Sequence, residues 1–221
     1  MNYDWLFRVF LSIGVRAIPA LIGWTYWKCY NRQEKAFIIL LGYDVFGIII
    51  GALLAYYYHN NIIMTNIYIV LEVSLLSIFY QQFLHNNIAK TLLFWFPFCY
   101  AIMVIVSSVF AYGIHNNNPI GNAIGGLFSV VFGVIALAHI SNNDQNLIKQ
   151  GLFWIASGLF GYYLMNMGYL SMRYWFLLTD SVFNVDLTLV LNLSFYFVNV
   201  LFALGLWLIA KERIPQLQKS K

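Results

Sequence analysis

Seven stretches of about 20 mostly apolar residues follow one another along the chain, at 9–27, 36–58, 65–84, 91–112, 121–140, 151–170 and 187–210. A helix rises ~1.5 Å per residue, so a run of that length matches the ~30 Å hydrocarbon core of a bilayer. No water reaches backbone N–H and C=O groups inside a bilayer, which leaves helices and closed barrels as the spanning structures. The runs are continuous and not alternating, which argues against a barrel. Each break carries turn or interface residues, such as KCYNRQEK, HNNIAK, GIHNNNPI and SNNDQNLIK. The expected fold is all-α: a polytopic membrane protein forming a single seven-transmembrane-helix bundle over 1–210, with a basic tail at 211–221.

Composition excludes the alternatives. Hydrophobic residues make up 62% of the chain and charged residues 9%, against about 25% charged in a soluble domain. A chain of 221 residues encloses too little volume to bury that much apolar surface. Two cysteines and no repeat of low complexity exclude a disulfide scaffold, collagen and disorder. The first run does not read as a cleavable signal, because Asp4 precedes it, it is long, and no small-residue cleavage site follows.

Basic residues orient the bundle. Lys28, Arg32, Lys35, Lys90 and Lys149 lie in the first, third and fifth connections, and Lys211, Arg213, Lys219 and Lys221 lie in the tail. The second and fourth connections have no Lys or Arg, and the sixth has Arg173. The positive-inside bias then places the N-terminus outside and the C-terminus in the cytoplasm. The net charge of +4 is accounted for by these anchors, with no reason to invoke nucleic acid. Trp5, Tyr56, Tyr57, Tyr58, Tyr112, Tyr174 and Trp175 fall at the expected outer edge, and Trp24, Trp27, Tyr30, Trp154 and Trp207 at the inner one.

Ionisable groups within a bilayer cost several kcal/mol unless paired or hydrated, so they are the first candidates for function. Arg16, Asp44 and Glu72 are such groups. Counting from the helix ends puts Arg16 and Glu72 ~10 Å below the outer boundary and Asp44 ~18 Å below it. Arg16 is thus expected to pair with Glu72, with its long side chain also reaching toward Asp44. Asn166 and Asn192 come out at ~7–9 Å, and Asn199 near the depth of Asp44. If these spans face one centre, Glu72, Arg16, Asp44, Asn166, Asn192 and Asn199 line an outward-facing polar pocket or ion pathway. The bland reading is that the charges fix helix register and the asparagines make ordinary interhelical hydrogen bonds of about 0.6 kcal/mol. His59, His85 and His115 read as solvated loop residues.

Small-residue spacings at Gly47/Gly51, Gly121/Gly125 and Gly158/Gly161 are expected at close helix contacts. VLEVS at 70–74 matches VLNLS at 190–194, and Gly42-Tyr43 matches Gly161-Tyr162. Such an offset would make spans one to three and five to seven parallel repeats about a linker, as in some transporters. The longest connection, 171–186, is expected outside the membrane as an interfacial helix or a lid.

Much chemistry has no residues to carry it. HExxH, CxxC, GxSxG, a P-loop and a dinucleotide fingerprint are all missing, so no metal and no cofactor are expected. No lysine lies within a span to hold a retinal Schiff base. A two-carboxylate hydrolase using Asp44 and Glu72 suffers from their ~8 Å difference in depth. The chain is therefore not expected to be an enzyme.

NIYIVLE, FWIASGLFGYYL and NLSFYFVNVLFALGLW, containing Glu72, Tyr162, Asn192 and Asn199, resemble stretches of uncharacterised small seven-helix integral membrane proteins of Bacteroidetes-type bacteria. The resemblance implies the seven-helix fold and a family role for Glu72, and it brings no activity with it. The functional expectation is a small transporter or channel-like protein for a solute or ion. The alternative is a seven-helix sensor or subunit that acts through a partner protein held by the basic tail, since about a dozen residues after Ala210 are too few for an output domain.

Overall fold

The computed structural model describes residues 3–58, 61–113, 116, 118–143, 146–176 and 181–219, with the side chains of 3–6, 8, 143, 169–176, 181–191 and 216–219 outside the described set. Regular structure among these residues is helical, without a strand. Seven α-helices follow in order: α1 (Tyr3–Thr25), α2 (Arg32–Tyr58), α3 (Ile62–Tyr80), α4 (Asn87–Val106), α5 (Pro119–Asn143), α6 (Gly151–Phe176) and α7 (Ser181–Lys219).

Among the described residues five stretches are long and apolar enough to cross a membrane: Arg32–Tyr58, Ile62–Phe83, Asn87–Tyr112, Pro119–Asn142 and Asn192–Pro215. They identify an integral membrane protein in the coarse sense. In α1 the described apolar stretch, Val9–Thr25, is shorter. The described part of α6 is diluted by Gly158, Gly161, Gly168, Tyr162, Tyr163 and Asn166, and is not among the five. Leu71, Phe94, Phe98, Ile102, Phe110 and Phe197 are exposed, as on helices whose outer faces meet lipid.

Local signals account for the helix starts. Asn31 and Glu34 form a reciprocal capping box on α2: Asn31 Oδ1 accepts the Glu34 N–H at 2.8 Å, and Glu34 Oε2 accepts the Asn31 N–H at 2.8 Å. This places a fully buried carboxylate at the mouth of the helix, where the unsatisfied amides and the dipole favour it. Asn86 caps α4 through the Ile88 N–H. Asn118 caps α5 ahead of Pro119, whose missing N–H costs nothing in the first turn. Between α4 and α5 the chain leaves α4 through a π-helical turn, Ser107–Tyr112, and reverses at Gly113, whose φ of 84° a side chain would resist.

The chain divides into two compact units, Met1–Gly125 and Gly126–Lys221. The division falls inside α5. In the first unit α2 packs on α1 and α3, and α3 on α4, around Phe37, Ile38, Leu76, Phe79 and Tyr80. In the second, α6 packs along α7 around Ile155, Ala156 and Leu206.

Helix reaches further than the apolar runs at two places. In the connection 171–186 α6 continues to Phe176 and α7 begins at Ser181, so helix occupies most of it, while 177–180 and the side chains of this stretch lie outside the described residues. The basic segment 211–219 is the end of α7, whose 39 residues span ~58 Å, well beyond a bilayer core.

The small-residue spacings also act differently from expectation at one place. A methyl group added at Gly47 would meet the Tyr68 ring at 3.5 Å, and one at Gly51 would meet Asn61 at 3.7 Å. Both are ordinary contacts, so these glycines open space instead of closing it. Gly125 does lie at a close contact, with the Tyr100 hydroxyl 2.7 Å from an added Cβ. Gly158 is blocked by Phe202 at 2.7 Å, while Gly161 has open space. The tightest approach belongs to Gly151 and Gly205, where the backbones of α6 and α7 touch and a Cβ on Gly205 would lie 2.6 Å from the Gly151 carbonyl oxygen.

Candidate functional site

The space that Gly47 and Gly51 leave is a cavity of about 360 Å³ among α1, α2 and α3. Its walls are Val9, Ile48, Ala52, Ala55, Met64 and Thr65, and Asn61 lies beside its end at the α2–α3 turn. Arg16, Asp44 and Tyr68 supply polar groups at the other end. Asp44 lies eleven residues before Ala55 on α2, so the cavity runs ~16 Å along that helix.

Arg16 Nη1 donates to Asp44 Oδ1 at 2.7 Å, and the Tyr68 hydroxyl donates to the same oxygen at 2.9 Å. The Tyr68 ring stacks on Tyr43, the neighbour of Asp44 in sequence, at 5.5 Å between centroids, which fixes the direction of its hydroxyl. Both side chains of the ion pair keep 18% exposure. Two donors therefore converge on Oδ1. Among the described residues Oδ2 receives no hydrogen bond, and Asp44 borders the cavity. A carboxylate held on one oxygen and open on the other can accept a proton, a cation or a donor group of a solute while Arg16 balances its charge.

The sequence-predicted residues are divided. Arg16 and Asp44 come together. Glu72 lies one turn beyond Tyr68 on α3 but is not among the residues lining the cavity; it is half-buried within electrostatic reach of the Tyr80 and Tyr100 hydroxyls. The guanidinium thus engages Asp44 and not Glu72, because equal depth counted along two helices does not bring two side chains onto facing sides of them. Asn166, Asn192 and Asn199 belong to the second unit. Asn199 is buried and donates to the Phe195 carbonyl of its own helix at 2.9 Å, Asn166 is half-buried, and Asn192 is exposed. His85 is exposed, whereas His59 and His115 lie outside the described residues.

Tyr68 and Asn61 were not anticipated at the site. The signal for Tyr68 was available: it is 24 positions from Asp44 in sequence, and a tyrosine deep in an apolar run needs a partner for its hydroxyl. A second polar cluster also went unread. Fully buried Asn118 donates to the Val104 carbonyl at 3.1 Å and to the Ser107 and Ser108 hydroxyls at 2.6 and 3.0 Å, and accepts the Gly121 N–H at 2.9 Å. Tyr100 adds a bond to the Gly121 carbonyl at 2.9 Å. Every polar group of Asn118 is spent on joining α4 to α5, which is a structural task.

Among the described residues no three His, Cys, Asp or Glu side chains gather to hold a metal ion. No protein-family model matches the chain, and neither a curated protein nor a solved structure matches it.

Proposed function

We propose that the chain is a small transporter or channel-like protein, and that the cavity between α1, α2 and α3 is its solute or ion site. The observation that carries this reading is the half-satisfied Asp44 carboxylate at the base of a cavity large enough for several waters. Ionisable groups inside a bilayer that border a water-sized space are typical of solute and proton pathways. In this reading all seven helices span a bacterial cytoplasmic membrane with the N-terminus outside. The α2–α3 turn then faces outward, and the cavity opens to that side. Arg16 keeps the resting site neutral, and arrival of a cation or proton at Oδ2 loosens its hold on Asp44.

The test is flux in proteoliposomes of the full chain, first for protons and monovalent cations and then for small zwitterions. Asp44→Asn is expected to abolish flux, and Glu72→Gln to retain it. Equal flux in Asp44→Asn and wild type removes Asp44 from the pathway.

A partner-dependent sensor or subunit is the second reading, favoured by the helical continuation of α7 through the basic segment after Ala210, with Lys211 and Glu212 exposed. Truncation after Lys211 separates the two: a subunit loses its partner, and a transporter keeps its flux.

A further inference from the structure

The second unit carries a cleft of about 510 Å³ where α6 begins beside α7. Its formation follows from the glycine contact. Gly151 lies against Gly205 and Ile209, so α6 starts at that level while α7 continues past it to Arg213 and beyond. The short 3-10 turn Leu147–Lys149 lies ahead of α6 and forms the other wall, held there by the Trp154 indole N–H, which donates to the Ile148 carbonyl at 2.8 Å. Lys149 and Arg213 bring two positive charges to the cleft and Glu212 one negative charge, with Gln150 as a further polar group. Leu152 and Ile209 make its apolar side.

Two features set the depth of this cleft. In the proposed orientation Trp154 and Trp207 stand at the inner membrane–water interface, and Lys211 Nζ lies over the Trp207 ring, 4.9 Å from its centre. In that orientation the cleft lies at the headgroup layer, and its lining among the described residues is net positive, polar on one side and apolar on the other. We propose that it holds the phosphate of an anionic phospholipid, between Lys149 and Arg213, with the glycerol against Leu152 and Ile209. Charge separates this ligand from a zwitterionic lipid, whose choline would bring a second cation to the basic pair.

The experiment is titration of the full chain in mild detergent with short-chain phosphatidylglycerol, phosphatidylcholine and inorganic phosphate, read by native mass spectrometry. Phosphatidylglycerol is expected to bind and phosphatidylcholine is not. The Lys149→Gln, Arg213→Gln double variant is expected to weaken binding about 30-fold, as two basic groups at a membrane surface would. Lys90→Gln, outside the cleft, leaves binding unchanged, and Glu212→Gln tightens it a few-fold, so a fold defect cannot imitate the pattern. Equal binding of both lipids, an unchanged double variant, or weaker binding by Glu212→Gln overturns the proposal. Displacement of the lipid by an equal concentration of inorganic phosphate overturns its assignment to a lipid.

Discussion

Arg16 and Asp44 are 28 positions apart and meet at 2.7 Å, and Tyr68 gives its hydroxyl to the same carboxylate oxygen. The three residues come from α1, α2 and α3, so the contact ties the helices of the first unit at one level. It also leaves Asp44 Oδ2 without a hydrogen bond among the described residues, and Asp44 borders the cavity.

The pair should behave as a coupled unit. Arg16→Ala and Asp44→Ala are each expected to cost about 3 kcal/mol, because each strands a desolvated charge. The double variant should cost less than the two together by about 1–3 kcal/mol. Reversible unfolding in mixed detergent and SDS gives the cycle, and strict additivity would deny the contact.

Glycine substitutions should sort by the space around them. Gly205→Ala drives a methyl group into the Gly151 carbonyl and is expected to cost about 2–3 kcal/mol, since backbone cannot step aside. Gly161→Ala meets open space and should leave stability within about 0.5 kcal/mol or raise it, alanine being the better helix former. Gly47→Ala should also fold normally while narrowing the cavity, so its effect belongs in flux and not in the unfolding midpoint.

Asn118 offers a two-step test of its roles. Asn118→Ala loses the cap of α5 and the donors to Ser107, Ser108 and Val104, for an expected loss of about 3 kcal/mol. Asn118→Ser keeps an acceptor for the Gly121 N–H and should recover about 1 kcal/mol of that. Identical stabilities for the two variants would assign the whole effect to the donors.

Orientation is open to a direct check. Reporter fusions are expected to show the α3–α4 connection near Asn86 and the end of α7 on the cytoplasmic side, and the α2–α3 turn near Asn61 outside. Neutralising Lys28, Arg32 and Lys35 together should weaken that preference, because the bias is set by basic residues close to the spans. A fusion pattern of the opposite sign would turn the cavity toward the cytoplasm.

Several parts of the structure were legible in the residues alone. Long apolar runs specify helices without any partner, since each helix satisfies its own backbone. The unpaired cost of a buried charge likewise singled out Arg16 and Asp44 before any contact was known.

The apolar residues of 171–186 did not reveal that α6 and α7 continue through most of it, because interfacial helix and spanning helix share one composition. Depth counted along a helix is a single coordinate, and it ranked Glu72 ahead of Asp44 as the partner of Arg16. The rotation of α3 about its own axis turned Tyr68 to the Arg16–Asp44 pair, while Glu72 stayed off the cavity wall. Gly47 and Gly51 of α2 line a cavity, whereas Gly151 and Gly205, 54 positions apart and in no recognisable motif, bring the backbones of α6 and α7 together. Local hydrogen bonding and the cost of desolvation are properties of the residues themselves and can be read from the chain. Helix rotation and packing depend on how side chains from distant segments fill shared space, so they exist only in the folded molecule.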